Sequence, residues 1–127
     1  DPNEKGIGLF NWFMKQEGPI GGYTGAIWTG VTTLTLAKAM EQAIKENLCG
    51  LYNLVNNESI NKFDLLQLFN KYFRNGKVDI QPNDKLQLDK SLRCTRTDFS
   101  FVVPSYEQQV KEWVDAHPQL YPHYSIK

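Results

Sequence analysis

Net charge is the first thing this sequence lacks: 14 Lys and Arg stand against 14 Asp and Glu in 127 residues. Zero balance argues against a nucleic-acid or anionic-membrane binder whose affinity comes from bulk charge. Long apolar runs are missing too. None approaches the roughly 18 residues of a membrane span, and no charged-then-apolar leader opens the chain. Cysteine is scarce: Cys49 and Cys94 are too few for a disulfide framework, and neither has a CxxC or Cys/His zinc spacing. Both are expected to be small buried thiols. No methionine precedes Met14, which falls in a helical pattern, so the chain reads as processed or as a fragment of a longer protein. With 41% hydrophobic and 22% charged residues, the length and composition describe one globular domain, residues 1–127.

Catalytic signatures are equally sparse. There is no GxGxxG: Gly6-Ile7-Gly8 is followed by Asn11 where the third glycine belongs. Gly76-Lys77 lacks the upstream glycine and the Ser/Thr of a Walker loop, and neither GxSxG nor HExxH occurs. His117 and His123 sit close together without Cys or acidic neighbours, which favours surface histidines over a metal site. No Tyr is followed four residues later by Lys. Asn57-Glu58-Ser59 matches a glycosylation sequon, but its Ser is better used as a helix cap. No catalytic, metal or cofactor-binding residue is assigned.

Periodicity supplies the elements. Ile7, Phe10, Phe13 and Met14 give a helix stopped at Gly18-Pro19. The stretch 18–30, with its five glycines, reads as a loop with a short extended piece near Ile20–Tyr23. Thr32 or Thr33 caps a helix whose apolar face is Leu34, Ala37, Met40 and Ile44. Leu51–Val55 is the best strand. Ser59 caps a helix over 60–73 that buries Phe63, Leu66, Phe69 and Phe73, with Leu65 and Tyr72 flanking. Asn75-Gly76 is a turn, and Val78–Ile80 a short strand ended by Pro82. Residues 83–99 show no dominant period and read as a long ordered loop. Ser105 caps a last helix with Tyr106, Val110, Trp113 and Val114 inward, and a tail from His117 lies across the surface. The expected class is helix-rich α/β, with about four helices and two or three short strands. A lone strand such as Leu51–Val55 needs neighbours for its backbone groups, so the pattern looks like part of a larger α/β protein.

Two sets of residues have binding chemistry. Lys85, Lys90, Arg93 and Arg96 fall within twelve positions whose only acid is Asp89. Such a loop can clamp a diphosphate, because guanidinium forks match phosphate oxygens; the alternative is a solvated loop paired to Asp84, Asp89 and Asp98. Trp12, Tyr23 and Trp28 offer stacking faces for a base or sugar ring, or else belong to the core.

Five segments, in order, resemble the C-terminal, substrate-binding part of extended short-chain dehydrogenases acting on nucleotide sugars, the dTDP-4-dehydrorhamnose reductase group among them. Gly8-Leu9-Phe10-Asn11-Trp12-Phe13-Met14 resembles the helix entering the substrate domain, and Gly22–Thr33 the loop whose Gly-x-x-Thr opens the next helix. Gly50-Leu51-Tyr52-Asn53-Leu54 is similar to a "Gly-x-Tyr-His-Leu" strand, with Asn53 in place of His. Ser59–Leu66 resembles an "Ile-Ser-Lys-Tyr-Asp-Leu-Leu" helix start, and Asp89-Lys90-Ser91-Leu92 through Arg96 a loop near the nucleotide diphosphate. The resemblance covers nearly all of residues 6–116. It implies phosphate contacts from Lys90, Arg93 or Arg96, with Asn11, Trp12, Tyr23, Trp28 and Thr32 near the sugar or base. It implies a cytoplasmic parent enzyme using NAD(P)H, whose Rossmann half and Tyr-Lys pair lie outside this chain. The implied partner is a nucleotide sugar, not nucleic acid or membrane, and surfaces exposed by loss of that half are expected to form a homo-oligomer. A non-catalytic helical interaction module is the other reading.

Overall fold

The structure, a computed structural model, describes residues 8–120, with side chains described as far as Ala116. Helix α1 (Leu9–Met14) leads into strand β1 (Ile20–Trp28), helix α2 (Thr33–Lys45), the two-residue strand β2 (Ile60–Asn61), helix α3 (Lys62–Phe73), strand β3 (Ile80–Asp89) and helix α4 (Tyr106–Leu120). The class is α/β, four helices with a three-stranded mixed sheet in the order β2-β1-β3. Strand β1 is central, antiparallel to β2 and parallel to β3. A parallel pair requires a crossover, and α3 lies in the connection, packing on the sheet.

Aromatic residues from three helices make the core. Phe10 of α1 lies 4.7 Å from Phe73 and 5.2 Å from Phe69 of α3, and 4.2 Å from Trp113 of α4. Phe13, Leu66, Phe73 and Val110 are almost completely buried around them. Expectation and structure agree for the inward side of α4 and for most of α3, including the flanking Leu65, which is buried.

Two buried polar side chains fix the chain around this core. Asn70 donates from Nδ2 to the Val78 carbonyl (2.7 Å) and accepts from the Val78 N–H (3.1 Å), closing the turn between α3 and β3. That turn contains Asn75 and Gly76, both at positive φ, as the Asn-Gly pair predicts. Arg74, only 4% exposed, donates from Nη1 to the carbonyls of Phe13 (3.2 Å) and Met14 (3.3 Å). These are terminal carbonyls of α1, and although that of Phe13 also accepts from the Gln16 N–H (3.1 Å), the buried cation adds a charged donor at the negative end of the helix.

Several elements differ from the sequence reading. The glycine-rich stretch is not mainly loop: β1 runs through Gly21, Gly22 and Gly25 as the middle strand. The glycines permit close backbone approach. A Cβ on Gly25 would lie 2.4 Å from the Leu86 carbonyl oxygen. This is where β3 bulges, since Tyr23 faces Asn83 but Gly25 faces Gln87. Pro82 does not end its strand, because β3 is an edge and its missing N–H breaks no ladder. Much of the expected loop 83–99 is therefore strand.

Leu51–Val55 is not a strand. It pairs with no strand among the described residues, and side chains hold it instead: Asn53 Nδ2 donates to the Arg93 carbonyl (3.0 Å) and Arg96 Nη1 to that of Leu51 (2.9 Å). Asn57, in the sequon, is likewise engaged, bonding both the N–H and the carbonyl of Cys94. The cap of α3 is Asn61 rather than Ser59: its Oδ1 accepts from Asp64 N–H at 2.7 Å, and β2 takes up the residues expected to begin the helix. Cys49 is exposed and Cys94 half-buried, so neither is a core thiol. Residues 117–120 continue α4, and the rest of the expected tail lies outside the described residues.

The largest departure is in α2. Its cap is Thr32, as expected, but it buries Thr35 and Ala39, while Met40 is 57% and Ile44 77% exposed. Helix α2 packs chiefly on α4, and the apolar face of Leu36, Met40 and Ile44 points away. The expected face of Leu34, Ala37, Met40 and Ile44 is thus only half recovered: Met40 and Ile44 share an exposed stripe with Leu36, whereas Leu34 is half-buried.

Phe73→Ala should destabilise the fold by about 3–5 kcal/mol, the usual cost of deleting a buried aromatic. Urea denaturation followed by circular dichroism checks this. Ile44→Ala, at an exposed position, should change stability by less than about 0.5 kcal/mol in the same experiment.

Candidate functional site

In open α/β sheets ligands gather outside the carboxyl ends of parallel strands. Here those ends are Trp28 on β1 and Asp89 on β3, and the chain beyond them forms the concave surface of interest. Lys90 is fixed there by its own N–H, which donates to the Ile27 carbonyl at 3.0 Å. Thr29 is buried and accepts at Oγ1 from the Leu92 N–H (2.8 Å), tying the two strand ends together.

Trp28 divides this surface. Its indole folds back over Gly30, where a Cβ would come within 1.6 Å of the ring. A side chain at that position would have to displace the ring, so the glycine leaves the tryptophan room to lie there. On one side is a cleft of about 360 Å³ bounded by Leu9, Ala26, Leu65, Phe69, Leu86 and Leu88, with Lys62 and Lys90 also on its wall. On the other is a groove of about 300 Å³ bounded by Thr29, Val31 and residues Tyr52–Val55, and again by Lys90. A smaller hollow of about 150 Å³ runs from Trp28 towards Thr32 and Gln109.

The basic residues divide by how far the fold uses them. Arg96 is occupied: Nε and Nη2 donate to Asp98 (2.9 and 2.5 Å), and Nη1 to the carbonyls of Cys49 and Leu51. Its guanidinium also lies 5.5 Å from the Tyr52 ring, so it holds the loop against the Leu51–Val55 segment. The hydrogen bond to Asp98 raises its pKa further, and the guanidinium draws the Asp98 carboxyl below its usual range. Tyr52 is pushed up to about 12, chiefly by its hydrogen bond with Cys94 and then by burial, and is neutral at ordinary pH. Lys90 and Arg93 are exposed and make no ion pair among the described residues.

Of the eight sequence candidates, the structure brings Trp28 and Lys90 together on the walls of both cleft and groove, while Thr32 lines only the smaller hollow beside Trp28. Arg93 joins the margin of the groove through its carbonyl, held by Asn53. Thr32 is engaged by the fold: its Oγ1 caps α2 at the Thr35 N–H, and its own N–H donates to Gln109 Oε1 at 3.0 Å. Asn11 is buried in α1, while Trp12 and Tyr23, both partly exposed, lie on none of these walls. The reading of 83–99 as loop missed Leu86 and Leu88. Their alternation around Gln87 is the strand signal that would have found them.

No protein-family model matches the sequence, and no curated protein matches it. Solved structures do. The dTDP-4-dehydrorhamnose reductase of Bacillus anthracis str. Ames, in complex with NADP, superposes with a TM-score of 0.70 at 19% identity over 85% of this chain. The chain has part of the dTDP-4-dehydrorhamnose reductase fold. A dTDP-4-dehydrorhamnose reductase ortholog from Clostridium acetobutylicum ATCC 824 superposes with a TM-score of 0.63 at 13% identity over 91% of the chain. This chain spans 42% and 45% of those two proteins, less than half of each. Among the described residues no helix is long and apolar enough to cross a membrane.

Gly30→Ala should displace the Trp28 indole and open the wall between cleft and groove. The expected readout is a shift in the indole NMR resonance of Trp28, assigned by its loss in Trp28→Phe, while the far-ultraviolet circular dichroism is unchanged. An unmoved resonance would show that the ring tolerates a neighbouring methyl.

Proposed function

We propose that this chain is the sugar-nucleotide-binding part of an NAD(P)H-dependent nucleotide-sugar reductase. The parent would be cytoplasmic and act in the synthesis of cell-surface polysaccharide precursors. The supporting observation is the convergence of Trp28 and Lys90 at the carboxyl ends of β1 and β3, in a fold shared with dTDP-4-dehydrorhamnose reductases. An aromatic face beside an unpaired cation suits a ring joined to a diphosphate. Lys90 and Arg93 are the phosphate contacts in this reading. Arg96 positions the loop that carries them.

The nicotinamide cofactor belongs to the parent enzyme, which is supported by the NADP complex of the Bacillus anthracis protein. No Gly-x-Gly-x-x-Gly loop occurs in these 127 residues, so none of them is given a role in holding a dinucleotide. The chain's contribution is to place the nucleotide sugar.

A second reading, an interaction module, is favoured by α2. Leu36, Met40 and Ile44 expose an apolar stripe along one face. The same stripe serves the first reading if it is covered by the dinucleotide-binding half, and in either case it should drive self-association of the isolated chain.

Isothermal calorimetry of the full chain with dTDP-glucose should show saturable one-site binding. Lys90→Ala should weaken it about tenfold, the scale of one charge-assisted contact. Absence of binding would leave the interaction reading in its place. Mixed with NADPH and a dTDP-4-keto sugar, the chain alone should give no turnover; measurable turnover would overturn the assignment to a part of the enzyme. Light scattering at tens of micromolar should give a mass above one chain, falling to the monomer in Met40→Glu/Ile44→Glu.

A further inference from the structure

Strand β3 is the outer strand of the sheet, and one of its edges meets no other strand among the described residues. Such an edge offers unpaired N–H and carbonyl groups, which proteins usually blunt with proline, charge or a bulge. Here Pro82 and the bulge after Asn83 blunt only the first half, and from Gln87 to Asp89 the register is regular again. The Lys90 N–H donates to the Ile27 carbonyl (3.0 Å), and the Leu86 carbonyl oxygen points at Gly25. In a parallel ladder alternate residues turn their backbone groups to the same neighbour, so Gln87 and Asp89 turn theirs to the free edge. Side chains alternate as well: Leu86, Leu88 and Lys90 line the cleft, whereas Gln87 and Asp89 do not.

The run Asp84-Lys85-Leu86-Gln87-Leu88-Asp89-Lys90 is complementary to itself read backwards. Laid antiparallel with Gln87 opposite Gln87, it sets Leu86 against the partner's Leu88, Lys85 against the partner's Asp89 and Asp84 against the partner's Lys90. Two-fold symmetry repeats every pair. Centring on Leu86 instead would oppose Lys85 to Gln87 and Asp84 to Leu88, and centring on Leu88 would oppose Lys90 to Leu86. A half-step either way opposes Asp84 to Asp89 or Lys85 to Lys90, and sets outward backbone groups against inward ones. Only the register centred on Gln87 joins opposite charges and apolar pairs, both favourable cross-strand contacts. The groups are available: Asp84, Lys85 and Asp89 make no ion pair among the described residues. Leu86 and Leu88 are 39% and 45% exposed.

We propose that β3 pairs antiparallel with β3 of a second copy of this chain, about a two-fold axis at Gln87, joining two sheets into one. Gln87 exchanges both backbone bonds with its counterpart, and each Asp89 N–H reaches the partner's Lys85 carbonyl. The Lys85 N–H stays with Asn83 Oδ1 (3.0 Å). The leucine pairs bring the two clefts side by side. This pairing does not depend on the nucleotide-sugar reading, and a phosphate at Lys90 competes only for the outer pair with Asp84. So short an interface is weak by itself, with a dissociation constant of about 0.1–1 mM, and is separable from association through the α2 stripe.

The test uses the full chain carrying Met40→Glu/Ile44→Glu, which removes the α2 contact. In sedimentation equilibrium from about 50 μM to about 2 mM, the average mass should climb from one chain towards two. Lys85→Asp or Asp89→Lys, each added singly, opposes like charges and should weaken the dimer about tenfold or more. Mixing those two variants in equal amounts restores both inner pairs and should restore the dimer. A monomer at the highest concentration would overturn the proposal. So would a dimer indifferent to both charge reversals, or a loss that mixing does not restore between variants whose circular dichroism is unchanged. A readout without substitutions in β3 is the intermolecular nuclear Overhauser effect between labelled and unlabelled chains. The strongest methyl contact should join Leu86 to the partner's Leu88; a strongest contact between the two Leu86 side chains would overturn the register.

Discussion

The aromatic cluster of Phe10, Phe69, Phe73 and Trp113 is the contact on which the rest of the molecule depends. Its rings meet edge-on or tilted at centroid distances of 4.2–5.9 Å and come from three separate helices. Each such pair contributes about 0.5–1.5 kcal/mol beyond its burial. More important is what the pairs hold in place. Helix α1 has only six residues and would not persist alone, so Phe10 and Phe13 on one side and the Arg74 guanidinium at its end keep it folded. With α1 and α3 set, the sheet has a surface to lie on, and β1 and β3 end side by side.

Everything proposed about binding follows from that shared end. Parallel strands finish at the same edge, so residues 62 positions apart in sequence, Trp28 and Lys90, become neighbours on one wall. The connection is tightened by Thr29, which bonds the chain leaving β3. Gly30 then lets the indole lie flat against backbone, and Thr32 starts α2 with its N–H fixed by Gln109 of α4. One short run from Trp28 to Thr32 thus joins strand end, ring wall and helix cap.

Parts of this were legible in the chain itself, for identifiable reasons. Helices α3 and α4 and their inward faces followed from 3.6-residue spacing of large apolar side chains, a signal that burial only reinforces. The caps at Thr32 and Ser105 were local chemistry within one turn. Strand β1 was hidden because its glycines serve contacts with distant residues, Leu86 among them, that no local window contains. Strand β3 was cut short at Pro82 because edge or centre is a property of the sheet. Leu51–Val55 shows the converse: its composition suits a strand, but it joins no ladder and is held by the side chains of Asn53 and Arg96.

Local chemistry alone therefore determined which segments are helical, which faces are apolar, and that Lys90, Arg93 and Arg96 share one basic loop. The tertiary structure decided which of these cations has work left to do. Arg96 is drawn into carbonyls of Cys49 and Leu51 and the carboxylate of Asp98, whereas Lys90 stands uncommitted between an apolar cleft and a polar groove. The sequence places the charges; only the packing of distant segments settles whether a donor meets a protein acceptor or faces the open wall of a site.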